Sequence, residues 1–350
     1  MIDVKRIKTS ELNEFINSSG YAEWDIVPIS RHRAKSYINN PRSHSSDVVI
    51  YLAYICDKLV GYRTILPDEV LVNNEKIRVG WLSGNWVHPK HRREGISTKL
   101  FNAAYNDWEG KLLYTNYAPQ SKAVYDKTSR FTLVNSCLGR RLYLRPCLRV
   151  LLPPKGSFFK LLKPLWLVAD FIFSVINPLP FLAKHISLGK NVSLEYLSKP
   201  DRELLNAFSE LTSKTLTQRS NKELLWITDY PWLVSSPLGD RVGGRYFFSS
   251  APKRFEQFVV KVYVRDSFAG FFIGNLNGRM FSVPYAYYLN DNHARIFSKI
   301  ILKHAGRLNA IFLTVHNKGI SMSLKGLFPF GMLSLSQKRN FFATSDVYTL

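Results

Sequence analysis

The sequence contains few cysteines and few acidic residues. Its three cysteines are Cys56, Cys137 and Cys147, whose number excludes an even disulfide framework and whose spacing offers no set of metal ligands. We therefore expect a reducing compartment and no bound metal. The 26 Asp and Glu residues are outnumbered by 48 Lys and Arg residues, so the formal net charge is +22. This imbalance excludes an acidic protein and favours polyanionic partners, either in solution or on a surface.

Long uninterrupted apolar runs are also absent from the sequence. Residues 1–6 carry charges and lack the apolar core of a signal peptide, so export is not expected. Residues 161–183 are mostly apolar, but Asp170 and three prolines interrupt them, which argues against a helix that crosses a bilayer. Two interpretations stay open for this stretch: a helical linker, which we prefer, and a segment at a membrane interface. The lysines that would face anionic headgroups are Lys155, Lys160, Lys163 and Lys184.

The chain does contain enough apolar material for a large core. Its 350 residues are 46% apolar and 14% aromatic, which is sufficient for two domains. Apolar and β-branched runs predict strands over 48–56, 59–66 and 77–87, preceded by helices near 10–18 and 30–39. The first half is therefore expected to be an antiparallel meander that follows short helices.

The third of these strands runs into a turn that opens a helix. Residues 77–87 are rich in β-branched and aromatic side chains, and Pro89 prevents a further ladder hydrogen bond. Beyond the turn, apolar residues recur at spacings of three and four, which predicts an amphipathic helix. These apolar residues are Leu100, Phe101, Ala104, Tyr105 and Trp108.

The turn itself has the composition of an anion site. Gly95 lacks a side chain where a phosphate would approach backbone N–H groups, and the first turn of a helix offers free donors. Four cationic or titratable residues precede it, namely Lys90, His91, Arg92 and Arg93. The sequence therefore predicts a site for a pyrophosphate.

Residues 87–100 resemble motif A of the GNAT family of N-acetyltransferases. That motif is an Arg or Gln, two residues, a Gly, one residue, and then Gly, Ala or Ser. Here Arg92 to Ser97 read Arg-Arg-Glu-Gly-Ile-Ser, Val87-His88-Pro89 matches the preceding Val-x-Pro, and Leu100 matches the trailing Leu. The resemblance implies that the turn cradles the pyrophosphate of coenzyme A and that residues 77–87 pair with its pantetheine arm. It assigns cofactor binding to Trp86, Val87, Arg92, Arg93, Glu94, Gly95, Ile96, Ser97, Thr98 and Asn116.

A second motif of the same family follows the helix. A short strand over 111–116 and a helix from 121 to 127 precede residues similar to motif B, with Ser129-Arg130 in place of its usual single Gly. The matching residues are Asn116, Ala123, Tyr125, Lys127 and Phe131. In that family the tyrosine protonates the departing thiolate of coenzyme A, so the resemblance makes Tyr125 the candidate general acid.

A general base is harder to assign, because the strand over 77–87 contains no acidic residue. Many relatives carry a Glu there. Ser83 and Asn85 are polar and are candidates to position a water, and backbone N–H groups over 83–86 are expected to polarise the thioester carbonyl. The other titratable groups near strand ends are Asp68, Glu69 and His88.

Residues 191–350 repeat the order of elements of the first half. A helix is expected over 201–215, then a series of strands, a helix over 293–304, a strand over 310–315 and a helix over 318–327. The predicted strands are residues 245–250, 255–264, 268–275 and 280–289. The turn over 289–293 lacks the Arg-x-x-Gly pattern and contains Asp291, which would repel a pyrophosphate. We expect a degenerate second GNAT-like domain that shapes the acceptor site.

These observations predict an α/β (α+β) protein with two tandem GNAT acyl-CoA N-acyltransferase folds, each a mixed, mostly antiparallel sheet flanked by helices. The predicted domains are 1–150, with intact motif A, and 191–350, joined by an apolar and basic helical linker over 151–190. The predicted activity is transfer of an acyl group from acetyl-CoA, or another acyl-CoA, to an amine acceptor such as an amino sugar, a peptide or a lipid-linked intermediate.

Two alternatives stay open beside this prediction: an aminoacyl-tRNA-dependent transferase of the Fem type, and a non-catalytic binding module with the GNAT fold. Contact with nucleic acid or with an anionic membrane is not excluded by the charge. We expect the protein in the cytoplasm, with association at the inner face of the membrane left open.

Overall fold

The computed structural model describes residues 1–115, 124–211, 216–238, 243–248, 251–327 and 333–348. Its contacts divide the chain into two compact units. Unit 1 comprises residues 1–136, 205–255 and 339–350, and unit 2 comprises residues 137–204 and 256–338. The two units are interleaved along the chain, since residues 205–255 belong to unit 1.

Unit 1 is built on an antiparallel meander. Its strands, in spatial order, are β1 (Asp3–Lys8), β2 (Val48–Ile55), β3 (Lys58–Val72), β4 (Glu75–Val87) and β5 (Leu112–Thr115). Its helices are α1 (Leu12–Phe15), α2 (Ser19–Glu23), α3 (Arg31–Ile38) and α4 (Ile96–Asp107). A later helix over residues 221–229 also belongs to this unit. All neighbouring strands are antiparallel except β4 and β5, which are parallel because α4 connects them.

Local backbone chemistry explains the tight meander. The β2–β3 turn has Cys56 and Asp57 at φ 46° and 60°, and the β3–β4 turn has Asn73 and Asn74 at φ 50° and 68°. Consecutive left-handed residues give the two-residue turn that matches the twist of a hairpin, and Asn and Asp tolerate this conformation best. The predicted strands are therefore confirmed, and β3 extends to Val72, beyond the predicted end at residue 66.

The core of unit 1 lies on both faces of this sheet. Helix α4 covers one face through Ile96, Leu100, Phe101 and Ala104, all buried, as its predicted apolar stripe requires. The opposite face packs against α1, α3 and aromatic residues from beyond residue 225. Two-sided burial explains why β2 is a continuous apolar run.

Unit 2 contains a second meander. Its strands, in spatial order, are β6 (Phe131–Tyr143), β11 (Phe312–Val315), β10 (Met280–Tyr288), β9 (Ser267–Asn277), β8 (Phe255–Val264) and β7 (Val192–Leu197). Its helices are α5 (Leu148–Leu151), α6 (Ser157–Leu161), α7 (Lys163–Ile176), α8 (Leu179–Lys184), α11 (His293–Arg307) and α12 (Lys318–Leu327). Three further elements are not confined to unit 2. Helix α10 (Asn221–Asp229) belongs to unit 1, and α9 (Arg202–Leu211) and β12 (Ser334–Thr344) each contain residues of both units.

Unit 2 repeats the arrangement of unit 1. A hairpin, β9–β10, leads through α11 to β11, which is parallel to β10, just as β3–β4 leads through α4 to β5. In both hairpins the second strand has one extra residue: two residues, 83–84 in β4 and 283–284 in β10, lie opposite one residue of the partner strand. The tandem fold expected from the element order is thus confirmed.

Several elements differ from the sequence-based expectation. The predicted strand over 245–250 is wrong: Gly243–Arg245 forms a 3₁₀ turn, and Tyr246 makes an isolated bridge to Val27. The sequence did not predict β1, β6, β7, β12 or α10. The apolar stretch 161–183 folds as short helices of unit 2, and no helix of the described residues has the length and apolarity needed to cross a membrane. The domain boundaries at 150 and 190 stay predictions.

Candidate functional site

The turn before α4 has the backbone conformation of an anion site. Gly95 is the residue before the helix and adopts φ +78°, and Arg93 is also left-handed at φ +72°. Two left-handed residues so close together turn successive N–H groups toward the same side. A Cβ on Gly95 would meet no atom within 4 Å, so glycine is required for its backbone angle and the space in front of it is open. No side chain caps α4, which leaves its first N–H groups available.

The charges around this turn favour a polyanion. Arg92 and Arg93 are exposed and have no hydrogen-bond or ion-pair partner within the described part of the chain. Glu94 would repel a phosphate, but its carboxylate lies 3.0 Å from Nδ1 of His91 and its charge is partly offset there. The turn therefore presents a net positive charge to an incoming ligand.

Strand β4 loses its neighbour just before the turn. Within the described residues, β5 pairs with β4 at Gly80 and Trp81 and not beyond, whereas β3 stays paired as far as Val87. The N–H of His88 donates to the carbonyl oxygen of Val60 on β3 at 2.8 Å. Because N–H groups alternate along an antiparallel strand, those of Asn85 and Val87 point to the side that β5 has left. This open strand edge can pair with an extended ligand.

The bulge in β4 sends its two polar side chains to opposite faces. Nδ2 of Asn85 donates to Oγ of Ser97 at 3.1 Å, which ties the first turn of α4 to the strand. Oγ of Ser83 instead accepts from Nη2 of Arg33 at 2.6 Å. The Gly84 N–H, which was expected to help polarise the carbonyl, donates to Oγ1 of Thr64 at 2.6 Å and is occupied. Asn85 is the nearest residue whose N–H is free for that role.

Arg33 is held by aromatic rings on the face of the sheet opposite α4. Its guanidinium carbon lies 4.1 Å from the ring centroid of Trp232, and Nη1 donates to the hydroxyl of Tyr246 at 3.0 Å. Burial raises the pKa of Tyr246 to about 12, although the charge of Arg33 acts against this. The hydroxyl of Tyr62, buried on the same face, has no hydrogen-bond partner among the described residues. This face therefore offers polar groups next to the bulge.

Tyr125 is buried, with 2% of its surface exposed. Its ring lies 4.6 Å from that of Tyr114, 5.4 Å from that of Phe131 and 6.0 Å from that of Phe101. Its hydroxyl oxygen accepts a hydrogen bond from Nη1 of Arg63 at 3.0 Å. Since that oxygen accepts from Arg63, its own proton must point elsewhere and is free to be donated.

Arg63 is a buried cation that sequence reasoning missed. It lies on β3 opposite Asn85, is fully buried, and has no carboxylate partner within the described residues. Its Nε and Nη2 have no hydrogen-bond partner there either. The guanidinium carbon lies beside the rings of Phe101 and Tyr125, 5.7 Å and 5.6 Å from their centroids. An arginine inside the apolar run of residues 59–66 was the signal that could have revealed it.

The titratable groups near the strand ends are engaged in other interactions. Asp68 accepts from Nη1 of Arg42, from both Nη atoms of Arg219 and from Nε1 of Trp81, each at 2.8 Å. A carboxylate held by four donors serves a structural role. Nδ1 of His88 accepts from the Lys90 N–H at 3.2 Å. None of these side chains hydrogen-bonds to Ser83, whose hydroxyl is bound by Arg33.

A cavity of about 570 Å³ lies at the carboxyl end of β4. Trp86, which stacks on Tyr62 at 5.6 Å, forms part of its wall together with Trp24 and Ile26. Three carboxylates, those of Glu23, Asp25 and Asp57, and two lysines, Lys58 and Lys90, also line it. The carboxylates outnumber the lysines by one, so the cavity offers acidic groups to a ligand amine without being strongly negative.

The structure thus brings the predicted residues of β4 and of the turn at residues 92–97 together in unit 1. Ser83, Asn85, Trp86 and Val87 lie on β4, Arg92 to Gly95 form the turn, and Ile96 to Thr98 begin α4. Ile96 is buried and Thr98 is exposed. Asn116 and Ala123 lie outside the described residues. The described residues contain no cluster of three His, Cys, Asp or Glu side chains that could hold a metal.

The equivalent turn of unit 2 is different. Residues 289–293 contain no Lys, Arg or Gly, and Asp291 is exposed at the start of α11. None of these five residues has a positive φ. This turn has neither the charge nor the backbone conformation of the turn at residues 92–97.

Comparison with known proteins agrees with this geometry. Residues 3–128 match the family model described as an acetyltransferase (GNAT) domain. No curated protein sequence matches the chain.

The fold is similar to that of several solved structures. Saccharomyces cerevisiae N-myristoyltransferase with bound myristoyl-CoA has a TM-score of 0.55 at 12% identity, covering 98% of this chain and 78% of that one. A probable N-acyltransferase from Enterococcus faecalis has a TM-score of 0.53 at 10% identity, covering 98% and 72%. A tandem GNAT protein from the clavulanic acid biosynthesis pathway has a TM-score of 0.51 at 10% identity, covering 99% and 98%.

Proposed function

We propose that this chain, a tandem member of the GNAT superfamily whose GNAT domain spans residues 3–128, is an N-acyltransferase that uses acetyl-CoA or another acyl-CoA. The single observation that carries the proposal is the turn at residues 92–97. It combines left-handed Arg93 and Gly95, an uncapped helix start and two arginines directly after an edge of β4; among the described residues no partner binds these arginines and no strand covers this edge. A pyrophosphate joined to an extended arm fits this combination.

The residues present fit such a ligand. Arg92, Arg93 and the first N–H groups of α4 would hold the pyrophosphate, and the N–H groups of Asn85 and Val87 would pair with the pantetheine arm. When bound, acyl-CoA would supply a thioester carbonyl that an amine can attack. The Asn85 N–H is placed to polarise that carbonyl, and the hydrogen bond from Asn85 to Ser97 fixes strand and helix relative to each other.

Tyr125 is proposed as the general acid for the departing sulfur. Nη1 of Arg63 donates a hydrogen bond to the phenol oxygen, so the phenol proton points away from Arg63. After proton transfer the guanidinium would stabilise the resulting phenolate. Arg63 is then a positioning residue, because it acts on the reaction through Tyr125.

The acceptor is proposed to be a primary amine, as in an amino sugar, a peptide or a lipid-linked intermediate. Its entry would be on the face that carries Ser83, Arg33 and Tyr246, where the cavity bordered by Trp86 also lies. The carboxylates of Glu23, Asp25 and Asp57 would attract the ammonium form, and a water held by Ser83 would take the proton of the attacking amine and pass it to the solvent.

The test uses a matched pair of glycine variants. Gly95→Glu places a carboxylate and a side chain in the turn, whereas Gly278→Glu makes the same change at another left-handed glycine, φ +60°, which also has open space around it. In calorimetric titration with acetyl-CoA, we expect Gly95→Glu to abolish binding and Gly278→Glu to leave the affinity unchanged. Equal affinity in both variants would contradict the proposed turn.

Turnover distinguishes the remaining alternatives. Release of free thiol from acetyl-CoA, measured over a panel of amines, is expected for an acyltransferase. Binding of acetyl-CoA without thiol release for any amine would favour a non-catalytic module. Binding of aminoacyl-tRNA in place of acetyl-CoA would favour a Fem-type transferase.

A further inference from the structure

Unit 2 exposes an unusual concentration of apolar side chains. Thirteen of the 25 large apolar side chains that are exposed in the described residues lie between Val150 and Leu182. The most exposed of these are Leu161, Phe171, Val175 and Ile176, each with 70% or more of its surface accessible. A patch of this kind, on the order of 1,000 Å², is larger than the few hundred Å² that a soluble monomer ordinarily exposes. We refer to residues 150–182 as the apolar segment.

Helix α7, at the centre of the apolar segment, is exposed nearly all round. Of its 14 residues, Asp170 alone is buried. The carboxylate of Asp170 accepts from the N–H groups of Leu148 and Arg149 at 2.7 Å and 3.2 Å, which anchors α7 to the start of α5. The two hydrogen bonds of this carboxylate therefore hold the helix in position, while its apolar side chains stay uncovered.

The dimensions and the charges of this segment match a bilayer interface. At 1.5 Å per residue, α7 is roughly 21 Å long, shorter than the ~30 Å hydrocarbon core that a spanning helix must cross. Lys155 and Lys160 precede it, Lys163 is its first residue, and Lys184 is the last residue of α8; all four are exposed. Lysines at the edge of an apolar surface pair with anionic headgroups while the apolar side chains enter the acyl region.

A cavity of about 450 Å³ continues the apolar segment into unit 2. Its lining includes Phe173, Ile176, Leu179 and Leu182 from the segment, and Leu148 from the adjoining helix α5. Arg145 also lines it, and the buried Nε of Arg145 has no hydrogen-bond partner among the described residues. Burial and the nearby charge of Arg279 lower the pKa of Arg145, so a bound anion there would relieve an unfavourable environment.

We propose that the apolar segment docks onto an anionic phospholipid bilayer, with α7 in the interface plane and one lipid acyl chain in the cavity beside Arg145. Exposed apolar area alone would suit any apolar partner. The four surrounding lysines, and Arg145 with an Nε that has no hydrogen-bond partner among the described residues, favour an anionic surface. The cavity volume lies within the range of about 300–1,000 Å³ that is typical of sites for small apolar ligands. This binding is independent of the acyltransferase chemistry proposed for unit 1.

The experiment is flotation of the full chain with vesicles of phosphatidylcholine alone or of phosphatidylcholine mixed with phosphatidylserine. We expect the wild type to float with the mixed vesicles and to stay largely in solution with the neutral ones. Lys160→Glu/Lys163→Glu should reduce the affinity about tenfold or more, since each lysine near the surface contributes to binding. Phe171→Ser/Ile172→Ser should abolish flotation.

The matched control is Met322→Ser/Lys325→Glu on α12, which removes an exposed apolar and an exposed basic residue elsewhere in unit 2. This variant should float like the wild type. Circular dichroism checks that each variant is folded, which the exposure of all the substituted side chains favours.

Insertion is measured by quenching of Trp166 fluorescence with lipids brominated in the acyl chain. The difference in quenching between wild type and Trp166→Phe should be large. Absence of flotation, equal binding to neutral vesicles, or a missing quenching difference would overturn the proposal. A dimer in sedimentation analysis that Phe171→Ser/Ile172→Ser converts to a monomer would show that a second copy covers the segment, and would also overturn it.

Discussion

Replacement of Arg63 by methionine should make the protein more stable and less active. The native side chain donates one hydrogen bond, to Tyr125, and its charge lies near the rings of Phe101 and Tyr125. The hydrogen bond contributes about 1 kcal/mol and the contact with the rings about 1–2 kcal/mol. Methionine has a similar length and can fill the same space with little strain.

The opposing terms are larger. Nε and Nη2 of Arg63 are buried and unpaired, and each unsatisfied donor costs about 1–3 kcal/mol. The buried charge, with no carboxylate among the described residues, costs several kcal/mol more. We therefore expect Arg63→Met to raise the free energy of unfolding by roughly 1–3 kcal/mol in urea titration.

Arg42 provides a matched control for this variant. Its side chain is also buried, with 4% exposed, but it pairs with Asp68 at 2.8 Å and with Glu223 at 2.9 Å. Arg42→Met leaves two buried carboxylates with one partner fewer and should lower stability by about 3–5 kcal/mol. If Arg63→Met destabilised the protein as much as Arg42→Met does, the account of Arg63 as an uncompensated cation would be refuted.

The same variant tests the proposed role in the reaction. With a reactive amine in excess, thiol release by Arg63→Met should have a lower kcat, while KM for acetyl-CoA stays near the native value. A purely structural residue would not separate the two constants in this way. A change in KM alone would refute the positioning role.

Two further predictions concern Tyr125 and Glu223. Tyr125→Phe should lower kcat by about 10²-fold or more and leave acetyl-CoA affinity unchanged, and an unaltered rate would remove Tyr125 as the general acid. Although burial acts to raise it, hydrogen bonds from Ser220 and Arg42 lower the pKa of Glu223 from 4.5 to about 2. Its contribution to stability, roughly 3 kcal/mol at most, is therefore complete above pH 4.5 and should disappear as the pH falls toward 2, whereas Glu223→Gln should show a flatter acid limb in urea titrations.

The features that could be predicted from sequence are those that local chemistry determines. The hairpins of β2, β3 and β4 follow from apolar runs separated by Cys-Asp and Asn-Asn pairs that adopt left-handed conformations. The turn at residues 92–97 follows from a glycine and basic residues between a strand and an amphipathic helix. In each case the signal and the structure lie within a few residues of one another.

The features that sequence did not predict depend on residues far apart in the chain. Asn85 and Ser83 are two positions apart and would share a face of a regular strand, but the bulge in β4 separates them. Arg33 reaches Ser83 from α3, and Trp232 and Tyr246 join it from beyond residue 225. The position of Asp68 near a strand end gave no sign that Arg42 and Arg219 would both bind it.

The tandem repeat illustrates the same limit at a larger scale. The order of elements in residues 191–350 predicted the second fold, and the bulge shared by β4 and β10 supports the repeat. The grouping of residues 205–255 with unit 1 has no local signal, because it depends on contacts such as that of Trp226 Nε1 with the carbonyl oxygen of Ser36 at 2.7 Å.

The most direct test of the central claim is calorimetric titration of the purified protein with acetyl-CoA, with adenosine 3′,5′-bisphosphate as the control for charge. The account predicts saturable binding of acetyl-CoA that is much tighter than binding of the control. The reason is that the open edge of β4 would contact the pantetheine arm, in addition to the contacts of the pyrophosphate with the turn at residues 92–97. Equal affinity for the two ligands would mean that the turn attracts phosphate without recognising the arm, and no binding of either would contradict the account altogether.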